Sequence, residues 1–200
     1  EGEHRGSIYL TAETTQSHVR IAYCAASTVY TGKRRLDVRR ETKTRLGWVA
    51  EDLSFTAQKG KTYRVEKLLS MFTSRDENMA SPEDSAFAKI GQLTTFGRLL
   101  EPHEAEWRRL WNVFDIRIDG DPFCQQVVRL HIYHLLTTAS PHNRHLDAGI
   151  PARGLHGEAY RGHVFWDDLF ILPFYFRRFP EIARSALLYR FRRLDAARNY

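Results

Sequence analysis

Cysteine is scarce: Cys24 and Cys124 are the only two in 200 residues. That usage excludes a disulfide framework and a cysteine-rich zinc site, and it fits a reducing compartment, so a cytoplasmic location is expected. Glycine and proline together make 19 of 200 residues, too few for collagen-like or low-complexity chains, while 42% hydrophobic content excludes wholesale disorder. No run approaches the ~18 consecutive apolar residues of a membrane helix. The opening Glu1-Gly-Glu-His-Arg-Gly6 has neither a signal-peptide pattern nor an initiating Met. Acidic residues are also in deficit, 24 against 30 basic ones, for a net charge of +6. The surplus is greatest from Arg177 to Tyr200, where seven Arg face Glu181 and Asp195. A basic surface can attract nucleic acid. Here the remaining Lys and Arg are scattered without a recognisable nucleic-acid motif. The arginine spacing reads as a solvated outer helix face, not a nucleic-acid groove or a phosphate site.

The first half of the chain alternates with the period of β-strands. Ile8 and Leu10, then Val19, Ile21 and Tyr23, then Leu36 and Val38, then Leu53 and Phe55 each mark a half-buried strand. Thr31-Gly-Lys33 and Gln58-Lys-Gly-Lys61 supply turns between them. Thr62 to Ser74 is a longer apolar-bearing run, expected to be a strand rather than a helix. Together these predict an antiparallel sandwich or curved sheet. At Ser81-Pro-Glu-Asp84 the pattern turns helical: Ser caps, Pro suits the first helical position, and acids suit the positive end. Trp107, Leu110, Trp111 and Phe114 form a helical stripe after Pro102. The run Val127 to Leu136 is so apolar that it reads as an inner helix covered on most sides. Helix is expected again over Phe165–Phe179, with Pro173 in a first turn or at a kink. A last helix opened by Pro180 is expected to run to the end. Uncapped at both ends, the chain resembles a piece of something longer.

Between those helices, Ser140 to Val164 breaks the periodicity with Gly149, Gly154, Gly157, Gly162, Pro141 and Pro151. Long ordered loops are usually functional. This one leads into Trp166-Asp167 and carries Arg153, His156, Glu158, Tyr160 and His163. Sugar sites use such parts: an indole face stacks on the C–H face of a pyranose, and charged groups grip its hydroxyls. Spacing alone favours a plainer reading, with Trp166 in the core and Asp167 capping the next helix. Six of nine histidines fall between His131 and His163. His131 and His134 share a helix face without a metal-site carboxylate spacing, so no metal site is expected. Cys24 and Cys124 read as buried thiols.

The string Ala152-Arg-Gly-Leu-His-Gly-Glu-Ala-Tyr-Arg-Gly-His-Val-Phe-Trp-Asp167 resembles the signature of glycoside hydrolase family 65. So do Leu172-Pro-Phe-Tyr175, Phe179-Pro-Glu-Ile-Ala-Arg184 and the run from Leu188 to Arg198. That family comprises maltose, trehalose, kojibiose and related disaccharide phosphorylases, with some hydrolases. The resemblance implies an α+β multidomain fragment: part of an N-terminal antiparallel β-sandwich (1–78), a helical linker (79–118), then the first helices of a six-fold α/α barrel (119–200). It also implies cleavage of an α-glucosidic disaccharide with inversion, by phosphorolysis or alternatively by hydrolysis.

Carried over residue by residue, Trp166 and Asp167 bind the donor glucosyl unit, with Arg153, Glu158, Tyr160 and His163 as further substrate-binding candidates. Many members continue Trp-Asp-Thr-Glu, whereas this chain has Asp168-Leu169, which leaves the acceptor sugar open. No catalytic residue is expected within the chain. The family's general-acid Glu and its phosphate ligands lie in later segments, so these 200 residues alone are expected to be inactive. Inorganic phosphate would be the co-substrate, with no cofactor, no nucleic acid and no membrane as partner, and the parent could be a homodimer. A non-catalytic sugar-binding protein and a basic nucleic-acid adaptor remain as alternatives.

Overall fold

A computed structural model describes residues 1–77, 79–155, 157 and 160–199, with only the backbone at Arg161. The chain divides into two compact units, Glu1–His103 and Glu104–Tyr200. In the first, strands β1 (Gly2–His4), β2 (Ser7–Glu13), β3 (Arg20–Thr31), β4 (Arg34–Leu36) and β7 (Tyr63–Thr73) form a five-stranded sheet. Strands β5 (Arg39–Arg45) and β6 (Trp48–Ser54) form a separate hairpin. Every pairing is antiparallel, as expected. The β1–β2 link is a two-residue turn in which Arg5 and Gly6 both have positive φ, 52° and 78°. This is the backbone that matches the twist of a tight hairpin.

Strand β3 is the spine of the sheet, paired with β2 and β4 and, along Ile21–Thr31, with β7. It runs well past Tyr23, where the alternation read from sequence stops. Cys24-Ala-Ala-Ser27 consists of small residues whose inward and outward positions look alike in hydrophobicity. The expected strand around Leu36 and Val38 is also divided: β4 ends at Leu36, and β5 starts at Arg39. Thr62 to Ser74 holds a strand, β7, and not a helix.

Helix α1 (Pro82–Gln92) starts where the sequence indicated. Ser81 Oγ accepts from the Asp84 N–H at 3.0 Å, and Pro82 occupies the first turn. Its Ala86 and Ile90 pack on Ala22 and Cys24 to form the core of this unit. The buried Ser70 hydroxyl donates to the Ala86 carbonyl at 2.8 Å, so this polar group is satisfied.

Among the described residues, every later element is helical. Helix α2 (Phe96–Phe114) begins well before the predicted stripe and contains Pro102. This is tolerated because residues 96–105 are exposed, so the carbonyl left without an N–H partner is solvated. Helix α3 (Pro122–Thr138) is capped by Asp121, whose Oδ1 accepts from the Cys124 N–H at 3.0 Å.

The expectation of a helix covered on most sides does not hold for α3. Ile132 and Leu136 are buried, but Phe123 is 73% and Leu130 51% exposed, because a single face of α3 meets the core of its unit. Helix α4 is shorter than predicted, Asp168–Phe176, and holds Pro173 beyond its first turn. Helix α5 (Pro180–Phe191) opens on its proline as expected, but the last run breaks at Arg192–Arg193 before α6 (Leu194–Arg198).

Phe114 and Tyr175, both fully buried, anchor this second core. Phe114 lies between Phe174 and Phe179, at centroid distances of 4.7 and 5.1 Å. The Tyr175 hydroxyl donates to the Leu135 carbonyl at 2.6 Å, and burial pushes its pKa up. Such a bond contributes about 1 kcal/mol and ties α4 to α3.

The two thiols differ, which corrects the expectation that both are buried. Cys24 is buried in the first unit, while Cys124 is exposed in the first turn of α3. Burial raises the Cys24 pKa, with a hydrogen bond to Ser7 opposing; the Asp121 carboxylate raises that of Cys124. A thiol-exchange titration of the native protein should therefore label Cys124 alone. Labelling of Cys24 should appear only on unfolding, and two fast-reacting thiols in the folded protein would contradict this packing.

Candidate functional site

The segment between α3 and α4 is held against α5. The Arg144 carbonyl accepts from the Ser185 hydroxyl at 2.9 Å. Asp147 takes Arg192 at 2.9 Å and Arg193 at 3.0 Å, and Arg193 also stacks over Tyr189 at 3.7 Å. Gly149 packs so closely that a Cβ would lie 2.5 Å from Val164 Cγ2 and 2.9 Å from the Tyr189 ring. Only glycine fits there without displacement. The Ala152 N–H donates to the His163 carbonyl at 3.2 Å and closes the loop on itself. The basic C-terminal stretch is therefore not a bare solvated face. Three of its arginines, Arg190, Arg192 and Arg193, are engaged by loop and helix carboxylates, a pairing between distant positions that helical spacing alone does not reveal.

Arg190 makes the tightest of these contacts. Its Nε and Nη2 each reach one oxygen of Asp168 at 2.8 Å, and Nη2 also donates to the Phe165 carbonyl. Asp168 is 2% exposed. A buried carboxylate is costly unless it is paired and hydrogen-bonded, and the two-pronged guanidinium satisfies both of its oxygens. The sequence marks Asp168 only as a departure from the family's Trp-Asp-Thr-Glu, since nothing local to it signals a partner 22 residues later.

Beside this clamp lies an open cleft of about 720 Å³. One wall is α3, presenting His131, His134 and Thr138; the other is the start of α4, with Trp166, Asp167 and Phe170; Ile150 to Gly154 form the floor. Trp166 is 67% exposed, so it is no core residue. It meets Phe170 edge-on at 5.2 Å. Asp167 is half-buried and makes no side-chain cap bond to α4, which removes the plainer reading of that residue.

Of the substrate-binding candidates, the cleft brings together Trp166, Asp167 and Arg153. Tyr160 and His163 are not among its lining residues. Tyr160 packs edge-on against Phe165 at 5.4 Å, and its carbonyl is 2.5 Å from His163 Nδ1. They shape the loop around the residue preceding Trp166. Glu158 and His156 lie outside the described residues. His131 and His134, weighed in the sequence only as metal ligands and set aside, line the same cleft as Asp167. Their shared helix face was the available signal, but what faces it depends on the fold. Among the described residues, no group of three or more His, Cys, Asp or Glu is placed to hold a metal ion. Among them too, no helix is long and apolar enough to cross a membrane.

Two family models match this chain. The glycosyl hydrolase family 65 N-terminal domain matches residues 1–110, and that family's central catalytic domain matches residues 129–200. The chain belongs to glycosyl hydrolase family 65. A glycosyl hydrolase of Mycobacterium tuberculosis is 42% identical over 193 residues, covering 96% of this chain and 14% of that protein. The kojibiose phosphorylase of Caldanaerobacter subterraneus subsp. tengcongensis is 37% identical over 209 residues, with coverage of 98% and 26%. The trehalose 6-phosphate phosphorylase of Lactococcus lactis subsp. lactis is 35% identical over 153 residues, with coverage of 76% and 20%. The chain thus spans between 14% and 26% of the length of these family 65 relatives. A solved structure from the human microbiome matches with a TM-score of 0.73 at 21% identity, over 96% of this chain and 25% of that one. At that identity the likeness is one of fold.

The loop's anchorage should be sensitive to acid. Hydrogen bonds from Arg193, then Arg192, hold the Asp147 carboxyl below its ordinary 3.8. A depressed folded-state pKa contributes stability that is complete above the unfolded value and is lost as pH falls from about 4 through the folded value. Asp147→Asn should therefore lower the thermal midpoint at pH 7 and flatten its decline below about pH 4. Parallel acid limbs in the wild type and the variant would show that the pairing does not contribute.

Proposed function

We infer that this chain supplies the donor-sugar wall of an enzyme that cleaves an α-glucosidic disaccharide with inversion, using phosphate as the nucleophile. The observation that carries this reading is the exposed Trp166 indole beside the Asp167 carboxylate, on the rim of a cleft large enough for a sugar. The indole offers a face to the apolar side of a pyranose. The ionised carboxylate accepts hydroxyl hydrogen bonds, each contributing roughly 1.5–3 kcal/mol. Membership of family 65 and the phosphorylases among its relatives support the reaction class. In this reading residues 119–200 are the first helices of an α/α barrel, residues 79–118 a linker, and residues 1–78 part of a β-sandwich.

Asp167 is the sole carboxylate among the described lining residues of the cleft. Inverting cleavage needs a carboxylic acid on the leaving oxygen and an activated nucleophile on the opposite face of the sugar; in phosphorolysis, phosphate takes the second place. With Asp167 occupied by sugar hydroxyls, the acid comes from outside this stretch. The phosphate also needs cationic or backbone donors. Arg190, Arg192 and Arg193 already serve carboxylates, so these donors too come from outside this stretch, and Arg153 on the cleft is read as a sugar-binding group.

These 200 residues alone should therefore show no phosphorolysis of kojibiose, trehalose or maltose. Release of glucose 1-phosphate by them would overturn that assignment. In an active enzyme carrying this stretch, glucose 1-phosphate rather than free glucose is the expected product. Asp167→Asn there keeps the side chain's shape but turns an acceptor into a donor. It should lower kcat/KM by about ten- to a hundred-fold, with an unchanged thermal midpoint because no cap bond is lost. Unaltered kinetics in a folded Asp167→Asn enzyme would remove Asp167 from the sugar site.

A further inference from the structure

Trp166 and Asp167 stand between two residues gripped by one guanidinium. On the N-terminal side, the Phe165 carbonyl accepts from Arg190 Nη2. On the C-terminal side, both Asp168 oxygens take Arg190 Nε and Nη2 at 2.8 Å. The guanidinium is planar and its N–H groups diverge at fixed angles, so the two anchors are held in one plane relative to α5. Starting a helix needs none of this, since a Ser or Asp cap suffices, and Asp167 makes no such bond. What the arrangement does fix is the backbone direction of residues 166 and 167 at the cleft.

We propose that Asp168 and Arg190 are positioning residues for the sugar site, acting through Trp166 and Asp167. The proposal rests on the reading of the cleft as the donor-sugar site. Arg190 is not among the described lining residues of the cleft; its Nε and Nη2 are engaged by Asp168 and the Phe165 carbonyl. Its effect on turnover is indirect and arises from angular placement. Small misplacements of binding groups lower rates by as much as about a hundred-fold.

The test uses an active enzyme carrying this stretch, at a temperature where every variant is folded by circular dichroism. Arg190→Lys keeps the charge but loses the planar fork, and Asp168→Glu keeps the ion pair but lengthens the tether by one methylene. Arg129→Gln, which removes the bidentate Arg129–Asp115 pair elsewhere in the same unit, is the control for ordinary loss of an ion pair. Arg190→Lys and Asp168→Glu should each lower kcat/KM by roughly ten- to a hundred-fold, with much of the loss in kcat. They should also weaken the protection by glucose of Trp166 fluorescence against acrylamide, taken as the difference from a Trp166→Phe background. Arg129→Gln should alter the thermal midpoint and leave both readouts unchanged. Should Arg190→Lys fail to fold, Asp168→Glu decides. Wild-type kinetics and quenching in a folded clamp variant overturn the positioning role. If Asp167→Asn is impaired while the clamp variants are silent, only this proposal falls; if Asp167→Asn is silent as well, the sugar-site reading falls with it.

Discussion

The ion pair between Asp168 and Arg190 is the constraint around which the second unit is arranged. Helix α5 reaches across the loop to the first residue of α4, and the loop between α3 and α4 is pinned to the same helix through Gly149 and Arg144 and to the turn after it through Asp147. These contacts make an irregular, glycine-rich segment behave as a floor for the cleft. A loop of that length would otherwise fluctuate, and binding groups on it would carry an entropic penalty whenever they engaged a ligand. Because α5 packs through Ile182, Ala183 and Ala186 into the same core as Phe114 and Tyr175, the rigidity of that core is transmitted to the rim.

The cleft is chemically lopsided. Its α4 side is aromatic and acidic, its α3 side offers imidazoles and a hydroxyl, and its floor is mostly small and apolar. A polyhydroxylated ring suits such a place, since one face is apolar and the edges are polar. Among the described lining residues Asp167 is the one carboxylate, and a carboxylate that grips sugar hydroxyls is not free to protonate the leaving oxygen. The division of labour in the proposed enzyme follows from that count.

What could be read from the sequence was local. Ser81-Pro-Glu-Asp84 announced α1 and Pro180 announced α5, because capping chemistry is written in adjacent residues. The density of Gly149, Gly154, Gly157 and Gly162 marked the loop, and Trp166-Asp167 at its end marked the rim. The features that escaped were those decided by partners far along the chain. Asp168 stood out only as a departure from the family's motif, Cys124 looked like another buried thiol, and Val127–Leu136 like an enclosed helix. Apolar content does not say how many sides of a helix will find neighbours. Tyr160 and His163 escaped for a related reason: in a loop, polar residues close in sequence to a site are as free to brace the backbone as to face the cleft.

The long outer strand β7 has a consequence for handling the molecule. Among the described residues it pairs on one side only, with β3, and Val65, Leu69 and Met71 stand exposed on one of its faces. A row of backbone amides and carbonyls next to exposed aliphatic side chains is a template for strand addition. Lys67, in the midst of that face, is its one charged interruption and opposes such pairing by repulsion between like copies. Preparations of these 200 residues by themselves will consequently be governed by colloidal behaviour at this edge. Low salt, which preserves the repulsion between lysines, favours the monodisperse solute, and concentration drives the chain toward intermolecular sheet.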